Sequence, residues 1–363
     1  MKKVVLAAVP VTVILLFAEL GVRSLYYQQH APYSSGLAHL LHRLRSLKVP
    51  PEATTKHVYQ KPFFRPDPVT GYSHVPGVHE ISLVGKSGTL NFRAVIDADG
   101  YRTTSPRPEA HAGQPEVWIF GCSFTWGFGL NNEKSFPWLV QTELPEFCVR
   151  NLAGHGFGDV QALLQLQHAI AQGKKLPVAA VFSYNPFHRD RNVAMPSWLM
   201  GVWEAQRALV ELKGASGDMG NRQFVRASLN ADGNFQVALV PMNPQALAAE
   251  RDPDEYFRLQ MTKIIFYRLL QLCKAHEITP IFALQSGGPD DEVFLYAGQL
   301  GYTMVNQSLN LDEDDGYKYR LRPYDTHVNE LAHQLYKASL MPVLKQSVSQ
   351  ARQTVEPATA RLR

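Results

Sequence analysis

The chain of 363 residues contains only three cysteines, Cys122, Cys148 and Cys273, and they are far apart in the sequence. Three dispersed cysteines are too few for a disulfide framework, and they lack the paired spacing of a zinc site. We therefore expect each cysteine to be a small buried side chain. Cys122 and Cys148 should lie at opposite ends of neighbouring strands, so we do not expect them to pair.

The sequence also has little net charge. There are 36 Lys and Arg against 32 Asp and Glu, a formal charge of +4, and no basic stripe alternates with aromatics as in a nucleic-acid binder. The 13 histidines show no metal-ligand spacing, and the acidic run at residues 312–315 lacks the alternation and the glutamate of an EF-hand. The sequence therefore predicts no nucleic-acid partner, no metal and no cofactor.

One long hydrophobic run is present, at the N-terminus. Residues 4–18 are apolar and follow Lys2 and Lys3, and with its extension the run reaches about the 20 residues that cross a bilayer. The lysines predict a cytoplasmic N-terminus, with everything after Arg23 outside. A cleaved signal peptide and a buried soluble helix are the alternatives, but no small-x-small cleavage site follows the run. We interpret residues 1–27 as an uncleaved anchor in a bacterial inner membrane, with a periplasmic remainder.

The rest of the chain divides by pattern. Residues 28–112 are typical of a stalk followed by a small β-rich segment, and residues 346–363 of a disordered tail. Between them, residues 113–345 alternate apolar strands with helices, which predicts a parallel sheet covered on both faces, interrupted by an insertion at about 195–250 with a hairpin near Asn230. Strands are expected at 117–120, 147–151, 178–182, 280–284 and 302–305, and helices at 160–170, 254–276 and 329–344.

Candidate nucleophilic, hydrogen-bonding and acid–base residues follow several of these strands. In open α/β sheets, ligands bind at the carboxyl ends of the strands. Ser123 follows the first strand on a glycine-flanked turn, which favours an exposed nucleophile. Its backbone N–H, that of Gly156 and the side-chain amide of Asn185 are candidate donors for an oxyanion hole. Asp325, two residues before His327, can hold the imidazole in the tautomer that accepts a serine proton. Each feature taken alone also has an ordinary structural explanation, such as a βα turn, a helix cap or a surface histidine.

The four segments in this order resemble the sequence blocks of the SGNH (GDSL-like) hydrolases, over roughly residues 115–345. The resemblance implies a flavodoxin-like three-layer α/β/α fold in which Ser123 attacks an ester, His327 is the general base and Asp325 orients it. Residues 71–77 and 99–102 also resemble the β-rich segment of bacterial family members that carry an N-terminal anchor.

Two positions depart from the family pattern. Cys122 stands where the family usually has Asp, and a thiol nucleophile there is disfavoured because its side chain should point away from that of Ser123. The third block reads Ser183-Tyr184-Asn185-Pro186 instead of Gly-x-Asn-Asp, which weakens the assignment of Asn185. The short Asp-x-His spacing resembles the alginate-type polysaccharide O-acetyltransferases and favours acyl transfer.

The sequence thus predicts an extracytoplasmic serine esterase or O-acyltransferase acting on acyl, chiefly acetyl, esters of envelope or exopolysaccharide glycans. The alternative is a catalytically inactive glycan-binding protein in an export complex, which triad side chains pointing apart would favour. His188, Arg189 and Arg191 are candidates for binding an anionic sugar or carboxylate, with a solvated loop as the alternative. The sequence is compatible with a partner of either of two kinds, a membrane acyltransferase or a polysaccharide-export protein, and does not select between them.

Overall fold

The structure, a computed structural model, describes residues 55–212 and 222–360. The predicted anchor at residues 1–27 lies outside the described residues. Within the part of the chain that is described, no helix is long and apolar enough to cross a membrane.

The described residues form short strands and helices in the following order along the chain. The strands are β1 (Lys56–Tyr59), β2 (Phe64–Asp67), β3 (Gly71–His74), β4 (Gly77–Gly85), β5 (Gly88–Ile96), β6 (Glu116–Phe120), β7 (Cys148–Asn151), β8 (Ala179–Tyr184), β9 (Val210–Leu212), β10 (Gln223–Leu229), β11 (Phe235–Pro241), β12 (Thr279–Leu284) and β13 (Thr303–Asn306). The helices are α1 (Ser123–Trp126), α2 (Phe136–Glu143), α3 (Asp159–Ala171), α4 (His188–Asn192), α5 (Pro196–Leu209), α6 (Pro244–Ala249), α7 (Glu255–Ala275), α8 (Glu292–Leu300) and α9 (Glu330–Ala360).

The central sheet has five strands in the order β7-β6-β8-β12-β13, and all neighbours are parallel. The five predicted strands are confirmed to within two residues at each end. Numbered along the chain, the order is 2-1-3-4-5, which is that of flavodoxin-like folds. In this topology the strand order reverses between β6 and β8, so a crevice opens at the carboxyl ends of these two strands.

Helices cover both faces of the sheet, because alternate strand residues point to opposite sides. Trp118, Phe120 and Phe182 belong to one buried cluster together with apolar residues of α3, α7 and α8. Ile119 and Val181 belong to another, with apolar residues of α2 and α9. The predicted three-layer α/β/α arrangement around a parallel sheet is therefore confirmed.

The closing helix α9 is longer than predicted. It continues to Ala360, so residues 346–360 are helical where the sequence predicted a disordered tail. The apolar stripe accounts for the first turn of the extension, because Leu340, Leu344 and Val348 are spaced four residues apart and are all buried in the same cluster.

The β-rich segment shares a core with the residues that follow the central strands. Strands β5, β4 and β1 form a sheet with β9, which comes from the insertion. Phe63 and Phe92 from this segment pack in one cluster with Trp126 and Phe128. The chain from Thr55 onward groups into one compact unit, so the predicted boundary at residue 112 does not separate two cores. The predicted hairpin is confirmed as β10 and β11, which pair across the loop at residues 230–234.

Candidate active site

Ser123 lies at the sheet edge where the strand order reverses. Strand β6 ends at Phe120, and Gly121 has φ of +154° and no room for a side chain, because a Cβ there would collide with Thr125 Oγ1. Cys122 is extended, and Ser123 begins the single turn of α1. This strand–turn–helix connection places the Ser123 side chain beyond the carboxyl end of β6, where it is 4% exposed.

Ser123, His327 and Asp325 form a continuous hydrogen-bonded chain. His327 Nε2 lies 2.8 Å from Ser123 Oγ, and His327 Nδ1 lies 2.5 Å from Asp325 Oδ1. The same carboxylate oxygen also accepts the backbone N–H of His327 at 2.8 Å. With a proton on Nδ1 donated to Asp325, the lone pair on Nε2 can accept the serine proton, as in hydrolase triads.

Asp325 has a second histidine partner that the sequence did not indicate. His57 Nε2 of β1 lies 3.2 Å from Asp325 Oδ2. Burial raises the pKa of Asp325, but the charges and hydrogen bonds of His327 and His57 outweigh burial and hold that pKa well below its ordinary value. The carboxylate therefore stays ionised, as a group that orients an imidazole must. His57 lies about 270 residues away in sequence and outside the four blocks, so no local pattern could have revealed it.

Two of the predicted oxyanion donors are backbone groups at adjoining strand ends. Neither the N–H of Ser123 nor that of Gly156 has a carbonyl acceptor among the described backbone groups. Gly156 has φ of +70°, and a Cβ there would lie 2.9 Å from Tyr72 Oη, so glycine is required for both reasons. The N–H of Gly154 donates to the Gly121 carbonyl at 3.2 Å, which ties this loop to the turn that carries Ser123.

The third predicted donor, Asn185, is directed inward. Its side chain is completely buried, and its Nδ2 lies 3.1 Å from Gln285 Oε1 and 3.6 Å from Cys122 Sγ. Its Oδ1 accepts the hydroxyl of Ser286 at 2.7 Å. The structure therefore corrects the prediction that the Asn185 amide is an oxyanion donor, because its hydrogens are directed to protein groups beneath the Ser123 turn. Gln285, at the end of β12, was missed because a buried glutamine after a strand carries no distinctive sequence signal.

The structure also corrects the predicted substrate-binding group after β8. His188 is completely buried, with Nδ1 at 2.9 Å from Asp159 Oδ1. Arg189 is paired with Asp291 at 2.5 Å. These two side chains hold α4 against its neighbours and are not free for an anionic ligand. Arg191 is only partly buried; it lies over the Phe187 ring and donates to the Phe157 carbonyl at 3.2 Å.

Aromatic rings flank the triad. The His327 ring lies 4.7 Å from that of Phe128 and 5.7 Å from that of Phe124, and its side chain is 23% exposed. A cavity of about 150 Å³ behind the glycine loop is lined by neither Ser123 nor His327, so the connected side chains and not cavity size identify the site. Among the described residues, no three His, Cys, Asp or Glu side chains group as metal ligands.

The chain resembles several solved structures at low sequence identity. No family model and no curated protein matches it. TesA is 14% identical over 64% of this chain and 99% of that chain, with a TM-score of 0.37. The psychrotrophic esterase EstA from Pseudoalteromonas sp. is 12% identical over 65% and 100%, with a TM-score of 0.37. A lipolytic protein of the G-D-S-L family from Veillonella parvula is 11% identical over 63% and 98%, with a TM-score of 0.33. All three scores lie below 0.5, so the fold and site are assigned from strand order and side-chain contacts.

Proposed function

We propose that this protein is a serine esterase or O-acyltransferase of the SGNH type, with Ser123 as nucleophile, His327 as general base and Asp325 as the group that orients it. The observation that carries the proposal is the unbroken hydrogen-bonded chain from Ser123 Oγ through both ring nitrogens of His327 to Asp325. A protein that only bound glycan would not need this connection, which supports catalysis over an inactive binding role.

The reaction begins when His327 Nε2 takes the proton of Ser123 and Oγ attacks the ester carbonyl carbon. Negative charge then develops on the carbonyl oxygen, where the N–H groups of Ser123 and Gly156 can donate. His327 returns the proton to the departing alcohol, which leaves an acyl ester on Ser123. Attack by water completes hydrolysis, whereas attack by a sugar hydroxyl transfers the acyl group.

Two sequence features support a proposed substrate class and compartment. The apolar run behind Lys2 and Lys3 supports an anchored enzyme with an extracytoplasmic site. The Asp325-x-His327 spacing resembles that of alginate-type polysaccharide O-acetyltransferases and supports acetyl esters of envelope or exopolysaccharide glycans as substrates. In this role a membrane acyltransferase would supply acetyl groups, or an export complex would supply the polymer.

The test is hydrolysis of p-nitrophenyl acetate by the full chain, with and without an acetylated or free oligosaccharide acceptor. We expect Ser123→Ala to lower kcat by about 10⁴-fold or more. Ser87→Ala, in the exposed turn between β4 and β5, is the matched control and should retain wild-type activity. Turnover that survives in Ser123→Ala would exclude the proposed nucleophile. Acetylated sugar formed only by the wild type and the control would establish transfer.

A further inference from the structure

A second set of polar side chains lies buried beneath Ser123. Cys122 is completely buried, and its side chain contacts that of His188, which is also completely buried. His188 Nδ1 is bonded to Asp159 Oδ1 at 2.9 Å, and Asp159 is 5% exposed. A carboxylate is therefore bonded to an imidazole, and the imidazole is next to a thiol in the turn that carries the nucleophile.

The carboxylate and imidazole in this line are held rigidly. Asp159 Oδ2 accepts a hydrogen bond from Asn192 Nδ2 at 3.0 Å, and Asn192 Oδ1 accepts the N–H groups of Asp159 at 2.6 Å and Val160 at 3.0 Å. With Nδ1 of His188 bonded to Asp159, its buried Nε2 makes no hydrogen bond of standard geometry among the described residues. Cys122 is the neighbouring group whose charge acts on this ring, so a thiolate there can compensate the unpaired N–H.

The surrounding charges favour an ion pair between the Cys122 thiol and the His188 imidazole. Burial lowers the pKa of His188, but the charges of Asp159 and Cys122 raise that pKa overall to about 9. Burial raises the pKa of Cys122, but the nearby charge of His188 outweighs burial and lowers that pKa to about 6. The other ionisable groups that act on this cluster are Arg191, Tyr184, Tyr302 and Tyr336. Between these two pKa values a thiolate faces an imidazolium.

The Cys122 sulfur also contacts the buried side chain beneath the Ser123 turn. It lies 3.6 Å from the Asn185 amide nitrogen, and Cys122 directly precedes Ser123 at the N-cap position of α1. We propose that Cys122, His188 and Asp159 form a buried positioning unit, in which a Cys122 thiolate paired with protonated His188 fixes the Ser123 turn and the Asn185 amide. The thiolate then supplies the negative charge that a carboxylate supplies where the family has Asp. The catalytic consequence rests on the proposed function, whereas the ion pair does not.

The ion pair is tested by the ultraviolet absorbance of the thiolate in the full chain, titrated between about pH 5 and pH 8, below the range in which free cysteines ionise. Burial raises the pKa of Cys148 and of Cys273, so neither should contribute. We expect the thiolate band at about pH 7.5 in the wild type and in the matched control Cys148→Ser, with loss toward pH 5. The band should be absent in Cys122→Ser and in His188→Gln. A wild type without the band at about pH 7.5, or a His188→Gln variant that keeps it, would overturn the ion pair.

Positioning is tested by turnover of p-nitrophenyl acetate. We expect Cys122→Ser and His188→Gln to lower kcat by about tenfold to 100-fold with little change in KM, because a small displacement of a nucleophile is costly. Cys122→Asp should recover part of the loss, since it restores an anion. A Cys122→Ser enzyme with wild-type kcat, or a folded Cys122→Asp enzyme no better than Cys122→Ser, would overturn the positioning role. If the wild type has no Ser123-dependent turnover, the proposed function fails, and the absorbance titration still decides the ion pair.

Discussion

At the scale of single residues, Asp325 joins parts of the chain that are far apart in sequence. Asp325 Oδ1 contacts His327 Nδ1 and Asp325 Oδ2 contacts His57 Nε2, so both carboxylate oxygens are restrained. A carboxylate with a single partner can rotate, whereas one held at both oxygens keeps the imidazole of His327 aligned with Ser123. In the proposed mechanism His57 is therefore a positioning residue that acts through Asp325.

This role predicts a specific pair of variants at His57. His57→Leu removes the donor to Asp325 and should lower kcat by about tenfold, because a hydrogen bond to a charged group contributes roughly 1.5–3 kcal/mol. His57→Gln retains an amide donor at this position and should keep most of the activity. The measurement is kcat and KM for p-nitrophenyl acetate across pH. Equal activity in both variants and the wild type would show that Asp325 does not need the second partner.

His333 provides a residue-scale prediction about stability. It is completely buried, and its Nδ1 accepts the Phe136 N–H at 2.9 Å, so the ring must be neutral to keep this bond. Burial lowers its pKa to about 3, against about 6.5 in an unfolded chain. Between these values the unfolded state binds more protons, so stability should be fully present above about pH 6.5 and decline as the pH falls, by roughly 1.4 kcal/mol per pH unit.

The variant His333→Asn isolates this contribution, since its side-chain oxygen can still accept the Phe136 N–H but does not titrate. We expect its free energy of unfolding in urea to fall less steeply than that of the wild type between about pH 6.5 and pH 5. His276→Asn, at an exposed position, is the control and should keep the wild-type slope. An unchanged slope in His333→Asn would mean that His333 is protonated in the folded protein.

At the scale of elements, the turn of α1 and the loop after it are held by Arg102, from the segment that follows β5. Its guanidinium donates to the carbonyls of Trp126 at 2.9 Å, Gly127 at 2.5 Å and Leu130, while its Nε donates to Asn132 Oδ1 at 2.9 Å. The side chain is 1% exposed. A planar group with several fixed donors can satisfy these acceptors together, which a single ammonium cannot.

Arg102→Lys should therefore be far from conservative. Leaving two or more buried carbonyls without a donor predicts a loss of about 3 kcal/mol in the free energy of unfolding. Arg93→Lys, on the exposed side of β5, is the control and should change stability by less than about 0.5 kcal/mol. Urea denaturation of the three proteins makes the comparison. A loss in Arg102→Lys no larger than in the control would show that the loop is held by other contacts.

At the scale of the whole molecule, the β-rich segment and the α/β layers depend on each other. The segment supplies Phe63 and Phe92 to the core around Trp126 and Phe128, and it carries both His57 and Arg102. A chain beginning at the predicted boundary, residue 113, should therefore expose these aromatics, bind a hydrophobic dye and lack a cooperative unfolding transition. A chain beginning at residue 55 should unfold cooperatively, since the chain from there onward forms one compact unit. Cooperative unfolding and esterase activity in the shorter chain would contradict this dependence.

The central strands, the main helices and the position of the candidate triad could be predicted from the sequence alone. Strand and helix periodicity are local properties, and in a parallel sheet the residues after each strand must meet at one edge. Ser123, Gly156, Asp325 and His327 could therefore be selected before any contact was known. The helix α9 extends past its predicted end at Leu344, where Val348 continues the buried stripe among polar surface residues.

The neighbours of these residues, in contrast, depend on how the chain packs in three dimensions. It directed Asn185 to Gln285, paired His188 with Asp159, and brought His57 to Asp325. Each of these contacts joins segments separated by at least 29 residues, so no local pattern records it. Their physical basis is burial, because a polar group enclosed by the fold must be paired within it, and the partner is whichever side chain the packing brings close.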